Sequence, residues 1–158
     1  MTYNRPILRQ ELMRDEGLRL KVYRCTAGKL TIGVGRNLDD VGISADETKE
    51  LGITKASAIK NGITREQAMA LLDNDIDRVD DGLDKHISWW RKLDPIRQRV
   101  LVNMGFNLGV RGLLKWTNTL AFIRTGRFEQ AARGMEGSLW RRQVGARAVR
   151  LISMMRHG

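Results

Sequence analysis

Three side chains in one short stretch could carry acid-assisted or nucleophilic catalysis: the carboxyl of Glu16, the thiol of Cys25 and the hydroxyl of Thr31. A carboxyl on a partly buried stripe titrates high, because burial disfavours its charged form. That suits a general acid near neutral pH. A thiol has a reference pKa of about 8.5 and is mostly neutral at pH 7. It is a poorer base than a carboxylate but a better nucleophile once ionised. Taken singly these residues say little. A Glu in a last helical turn is usually an exposed charge, a lone Cys a small core residue, and a Thr in a strand a good strand former. They become a site only if local structure gathers them.

The sequence supplies that structure. Pro6 fits the first turn of a helix, where its missing N–H has no partner to lose. Residues 6–16 therefore read as a short helix that Gly17 ends. Leu8, Leu12, Asp15 and Glu16 fall at i, i+4, i+7 and i+8, so two carboxyls share the stripe that should be buried. Such burial is costly unless the acids are paired or put to use. Leu20, Val22, Leu30, Ile32 and Val34 then follow strand periodicity around an Ala27-Gly28-Lys29 turn. A β-hairpin folded against the helix end would bring Glu16, Cys25 and Thr31 into one cleft. Gly33 and Gly35 predict that something approaches the second strand's backbone closely.

Beyond the hairpin the reading is mostly helical. Residues 37–62 are Gly-punctuated and mixed in charge, and read as loop with at most one short helix. Thr64-Arg-Glu-Gln67 is a capping box, and Ala68, Leu71, Leu72, Ile76, Val79 and Leu83 follow at helical spacing. This helix has the length to bridge two lobes. Asp94-Pro95 starts another with Ile96, Val100, Leu101, Met104 and Leu108 on its stripe, stopped by Gly109. Thr117 or Asn118 caps a helix to Thr125 that Gly126 ends, and residues 127–136 form another. Val144, Ala148, Leu151, Ile152 and Met155 mark the last. The expected architecture is α+β: a small N-terminal lobe with the hairpin at about 17–62, a joining helix at about 64–84, and a larger all-helical lobe from 1–16 plus 85–158.

Composition narrows the class. The chain has 158 residues, enough for one domain with a substantial core. Lys plus Arg number 28 against 18 Asp plus Glu, a formal charge of +10 that calls for an anionic partner. One cysteine excludes an internal disulfide framework. Two histidines, His86 and His157, with that cysteine exclude most His/Cys metal sites. No apolar run approaches the roughly 18 residues of a membrane span, and the first residues lack an apolar signal core. Gly33-Val34-Gly35 lacks the third glycine and the βαβ context of a dinucleotide fingerprint, so no cofactor and no metal is expected.

Residues 15–38, DEGLRLKVYRCTAGKLTIGVGRNL, resemble the active-site segment of the phage-type lysozymes, glycoside hydrolase family 24. The family pattern of Glu, eight residues, Asp or Cys, five residues, Thr reads here as Glu16, Cys25 and Thr31, followed by T-x-G-x-G as Thr31-Ile32-Gly33-Val34-Gly35. Residues 63–77, 99–109, 115–123 and 138–152 are similar to the family's joining helix and helical lobe. The resemblance implies a lysozyme-like fold and hydrolysis of the β-1,4 bond between N-acetylmuramic acid and N-acetylglucosamine in peptidoglycan. It implies Glu16 as general acid, with Cys25 and Thr31 positioning or activating water. Cys25 stands where many members carry Asp, which leaves inverting and retaining routes both open.

Other roles follow from the same resemblance. Gly35, Asn103, Phe106 and Asn107 match positions lining the saccharide cleft. Arg147 matches an arginine that pairs with the catalytic Glu, and Arg150 is the corresponding partner for Asp15. Arg36 stands where the family often has His, and Asp75 matches that residue's carboxylate partner, so an Arg–Asp pair would keep the lobe-to-lobe link without a titrating imidazole. The expected partner is the glycan strand, with the basic C-terminal helix drawn to an anionic wall or outer-membrane surface. A monomer is expected, with no nucleic acid bound. The expected setting is an endolysin made in the host cytoplasm and released through a separate pore. Two other readings stand beside it: a lytic transglycosylase, which cleaves the same bond without water, and a non-catalytic basic module that binds nucleic acid.

Overall fold

The computed structural model describes residues 2–158. In chain order the elements are α1 (Arg5–Glu16), β1 (Arg19–Arg24), β2 (Leu30–Gly33), β3 (Arg36–Asn37), α2 (Ala45–Leu51), α3 (Lys55–Asn61), α4 (Arg65–His86), α5 (Pro95–Leu108), α6 (Val110–Leu114), α7 (Thr117–Arg124), α8 (Phe128–Glu136), α9 (Leu139–Val144) and α10 (Ala146–His157). A single 3-10 turn, Trp90–Lys92, precedes α5. The architecture is α+β, with one small antiparallel sheet of order β1-β2-β3. The chain forms two compact units, one of residues up to Leu8 and Arg78–Gly158, the other of Arg9–Asp77. The divisions fall inside α1 and α4.

The Arg9–Asp77 unit holds the sheet. Gly17, at φ 79°, ends α1 with its N–H donating to the Met13 carbonyl at 2.9 Å. β1 and β2 pair with Tyr23 opposite Thr31 and Arg24 opposite Leu30. β3 adds a two-residue strand with Thr31 opposite Asn37 and Ile32 opposite Arg36. Below the sheet Ile32, Leu38, Ile53, Ala58, Ile63, Ala68 and Leu71 form a buried apolar cluster. Each buried Ile or Leu side chain there contributes on the order of 1.5–3 kcal/mol.

Two corrections to the sequence reading lie in this unit. Residues 37–62 carry two helices where at most one was expected. Their starts are the capping boxes Ser44-x-x-Glu47 and Thr54-x-x-Ser57, each with both reciprocal hydrogen bonds formed, and Gly52 and Gly62 stand at their ends. Seven residues each is too short for apolar periodicity to register. The second strand of the predicted hairpin also does not run on through Val34; the backbone turns at Gly33 and Gly35, both with positive φ, into β3.

The other unit is helical. α5 buries Gln98, Val100, Leu101, Val102, Asn103, Met104 and Gly105, positions that run all round the helix, as expected for a central helix. Asp94 caps it, its Oδ2 accepting from the Arg97 N–H at 3.0 Å. Arg97 in turn donates to the last carbonyls of α10, Met155 at 2.7 Å and Arg156 at 3.1 Å, and lies over the Phe128 ring at 3.6 Å. α7 begins at Thr117 itself, with Trp116 before it and no side-chain cap, rather than with a Thr or Asn cap. The last helix starts at Ala146, not Val144, because Gly145 at φ 59°, ψ −122° breaks the chain between α9 and α10. Among the described residues no helix is long and apolar enough to cross a membrane.

Candidate active site

Thr31 opens the chemistry of the Arg9–Asp77 unit because the sheet fixes it from both sides. It is the central-strand residue with Tyr23 opposite it on β1 and Asn37 on β3, and it is buried. Its hydroxyl lies 3.0 Å from the Lys29 carbonyl and within hydrogen-bonding reach of the Cys25 sulfur. One hydroxyl proton can serve only one of these acceptors at a time.

Cys25 stands at the turn. Its N–H donates to the Lys29 carbonyl at 2.9 Å and its carbonyl accepts from the Gly28 N–H at 2.8 Å. The same tight turn aims backbone N–H groups at the sulfur. Those of Lys29 and then Ala27 hold the thiol below its ordinary pKa, and the Thr31 hydroxyl adds to the effect. The thiol is free and half-buried. The lowered pKa raises the share of the thiol present as thiolate, which is its nucleophilic form.

Glu16 is the last residue of α1, half-buried, and its carboxyl rests on the Gly35 backbone. A Cβ on Gly35 would sit 2.8 Å from Glu16 Oε2, closer than real Cβ atoms come. The close approach expected at the Gly-x-Gly pair is thus made at Gly35, by the Glu16 carboxyl. At Gly33 the nearest atoms would be in ordinary contact, 3.6 Å or more away, and the positive φ of 67° is what calls for glycine there.

Tyr23 was not singled out from the sequence. Burial pushes its hydroxyl above the usual tyrosine range, and the charges of Glu16 and Cys25 push in the same direction against Arg19. Both acids therefore act on one phenol. The Arg19 guanidinium lies 4.3 Å from the centre of the same ring. Its strand position offered a signal, since Tyr23 and Cys25 are two apart and share a face in an extended chain.

Arg36 and Asp75 do pair, with Arg36 Nε 3.1 Å from Asp75 Oδ2 and Nη2 3.0 Å from Oδ1. Both residues lie inside the Arg9–Asp77 unit, so the pair ties β3 to α4 within that unit. The sequence reading missed the larger partner. Glu47 of α2 takes the Arg36 guanidinium end-on, Oε1 from Nη1 at 2.8 Å and Oε2 from Nη2 at 2.7 Å. Arg36 also donates to the carbonyls of Gly42 at 3.0 Å and Leu71 at 3.3 Å. It is 2% exposed, and a buried guanidinium is tolerated because its donors are met. The Arg36 hydrogen bonds, with help from Asn74, hold the Glu47 carboxyl down to about 2 despite burial. Glu47 therefore stabilises the fold fully above about pH 4.5, and the contribution is lost as pH falls toward 2. By linkage it amounts to at most about 3 kcal/mol. The expected result is that denaturant unfolding of Glu47→Gln and the parent differs most at pH 7 and that the gap narrows steadily as pH falls from about 4.5 toward 2. A constant gap across that range rules out the charged pair as its source.

Asp15 is half-buried as a residue, with its side chain only 2% exposed and 3.8 Å from Arg14 Nε. Arg147 and Arg150, the expected partners of Glu16 and of Asp15 respectively, stand on α10 in the helical unit. There Arg147 is buried and donates through Nε to Asn103 Oδ1 at 2.9 Å. Asn103 is itself 1% exposed. Asn107 is half-buried and accepts from Trp140 Nε1 at 2.8 Å, and Phe106 is half-buried. Thus Cys25, Thr31, Gly35 and Glu16 are gathered in one unit and Asn103 is gathered with Arg147 in the other. Among the described residues no group of three or more His, Cys, Asp or Glu is arranged to hold a metal.

A phage lysozyme family model matches residues 13–156. The chain belongs to the phage lysozyme family. With it, the chain is placed among glycoside hydrolases of the lysozyme type. It is 33% identical over 156 residues to the pre-baseplate central spike protein Gp5 of Enterobacteria phage T4, covering 93% of this chain but 27% of that protein's length. It is 27% identical over 160 residues to probable T4-type lysozyme 1 of Dictyostelium discoideum, covering 96% of this chain and 94% of the relative, and 28% identical to probable T4-type lysozyme 2 with the same coverage. The family match contains all of Glu16, Cys25, Thr31, Gly35, Arg36 and Asp75.

Proposed function

We propose that the protein is a muramidase that hydrolyses the β-1,4 bond between N-acetylmuramic acid and N-acetylglucosamine in peptidoglycan. The observation that carries this reading is the Glu16 carboxyl seated on the Gly35 backbone, at the turn that leaves the strand on which Thr31 meets Cys25. Glu16 gives its proton to the glycosidic oxygen as the C–O bond breaks. A water attacks the anomeric carbon, oriented by Cys25 and Thr31, and its proton passes to the thiolate. Phe106 and Asn107 are assigned to saccharide contact in the helical unit. Asn103, which accepts from the buried Arg147, is assigned to holding that arginine.

The rival chemistry on this bond is internal: attack by a sugar hydroxyl, leaving an anhydro product. The Cys25–Thr31 pair disfavours it, since such a reaction has no water to orient. Basic charge fits the anionic wall. Beyond Leu108 lie ten of the 28 Lys and Arg residues but only two of the 18 acids, Glu129 and Glu136. The setting we propose is host-cell lysis, with the enzyme reaching the wall from the host cytoplasm through a separate pore. Identity to a phage spike protein favours a second setting for the same reaction, in which the hydrolase is carried on a phage structure.

The test is a turbidity assay on purified walls with fragment mass spectrometry. Reducing ends with one added water support the muramidase, and anhydro ends overturn it. Cys25→Ala is expected to cost about two orders of magnitude in rate, while Cys25→Asp retains a substantial share, because a carboxylate can take the water's proton. Full activity in Cys25→Ala assigns the thiol to packing alone.

A further inference from the structure

We propose that Glu47, outside the catalytic trio, is a positioning residue that sets the catalytic turn through Arg36; this rests on the muramidase reading. Arg36 directly follows Gly35, the residue on which the Glu16 carboxyl rests. It is also the β3 residue paired with Ile32, and its neighbour Asn37 pairs with Thr31. The placement of one side chain therefore determines both the floor under the acid and the strand beside the hydroxyl. β3 has only two residues, too few for ladder hydrogen bonds alone to hold its register. The guanidinium does so instead.

Asp75 holds that guanidinium from one side and Glu47 clamps its end from the other, at 2.8 and 2.7 Å. Glu47 is itself fixed three ways. It is the N3 residue of the α2 capping box, accepting from the Ser44 N–H at 3.0 Å. Its Oε2 accepts from Asn74 Nδ2 at 2.9 Å. It is 4% exposed. A carboxylate bound so tightly has one geometry, and it passes that geometry to Arg36. α2 is thus a bracket for the active site, although none of its residues belongs to the trio.

The test compares Glu47→Gln with the parent and with Thr54→Ala, at a temperature where all three are folded. Gln preserves the capping box but removes the charge and one acceptor of the clamp. Thr54→Ala weakens the α3 cap in the same unit without touching Arg36. For Glu47→Gln, kcat on purified peptidoglycan is expected to fall about tenfold to a hundredfold with KM within about twofold, the signature of a misplaced catalytic group. Thr54→Ala is expected to keep kcat within about twofold. Glu47→Asp, which keeps the charge on a shorter arm, is expected to recover part of the loss. An unchanged kcat in Glu47→Gln overturns the positioning role, and so does an equal kcat loss in Thr54→Ala, which would mark a general response to destabilisation. A parent enzyme that releases no reducing ends overturns the muramidase reading instead, so the two failures are distinct.

Discussion

Glu16→Gln is expected to lower wall lysis by about three orders of magnitude while leaving the fold intact. General acid catalysis contributes roughly 10² to 10⁴ in rate, and an amide cannot give up a proton at any pH at which the enzyme is folded. Gln has nearly the shape of Glu, so the contact with Gly35 and the end of α1 at Gly17 are kept. Melting temperature is therefore expected to stay within a few degrees of the parent, a range that corresponds to about 1 kcal/mol in a domain this size. Glycan binding should persist, which makes the variant suitable for co-sedimentation with purified walls. The measurement is turbidity loss together with newly formed reducing ends. Lysis by Glu16→Gln at the parental rate removes the carboxyl from the chemistry and with it the proposed reaction.

The parts of this site that the sequence made legible are those with local signals. α1 could be bounded because Pro6 and Gly17 mark its ends, and Asp15 and Glu16 fall on its apolar stripe, where the structure covers the Asp15 side chain and half-buries Glu16. The joining helix was readable from Thr64 and Gln67, whose reciprocal hydrogen bonds form at 2.8 and 3.1 Å. Gly35 was marked by residue type, because a close approach excludes a side chain. The illegible parts depend on partners distant in the chain or on elements too short for a period. Glu47 on a seven-residue helix reads as a solvated charge until Arg36 is folded onto it. Tyr23 comes to the site only when the sheet sets it opposite Thr31. Asn103 carries no mark that separates an exposed amide from one buried beside Arg147. Periodicity tells which face of an element is covered, and not what covers it.

Gly35→Ala is the second change expected to be severe, and its two costs can be separated. At φ 70° any side chain strains the backbone, at a cost of roughly 1–2 kcal/mol. The added methyl would also sit 2.8 Å from Glu16 Oε2 and 3.1 Å from the carboxyl carbon. That second cost falls on catalysis, because either the carboxyl swings away or the turn moves and takes Arg36 and β3 with it. Gly126 provides the control: its φ is 77° and nothing lies within 4 Å of where its Cβ would be. Gly126→Ala should therefore lose a similar 1–2 kcal/mol in denaturant unfolding and keep its specific activity. Gly35→Ala should lose at least as much stability and, in addition, about a hundredfold or more in kcat, the scale of an ångström-level misplacement. If the two variants lose stability alike and both keep kcat, the contact between Glu16 and the Gly35 backbone has no catalytic consequence, and the acid must be held by something other than this turn.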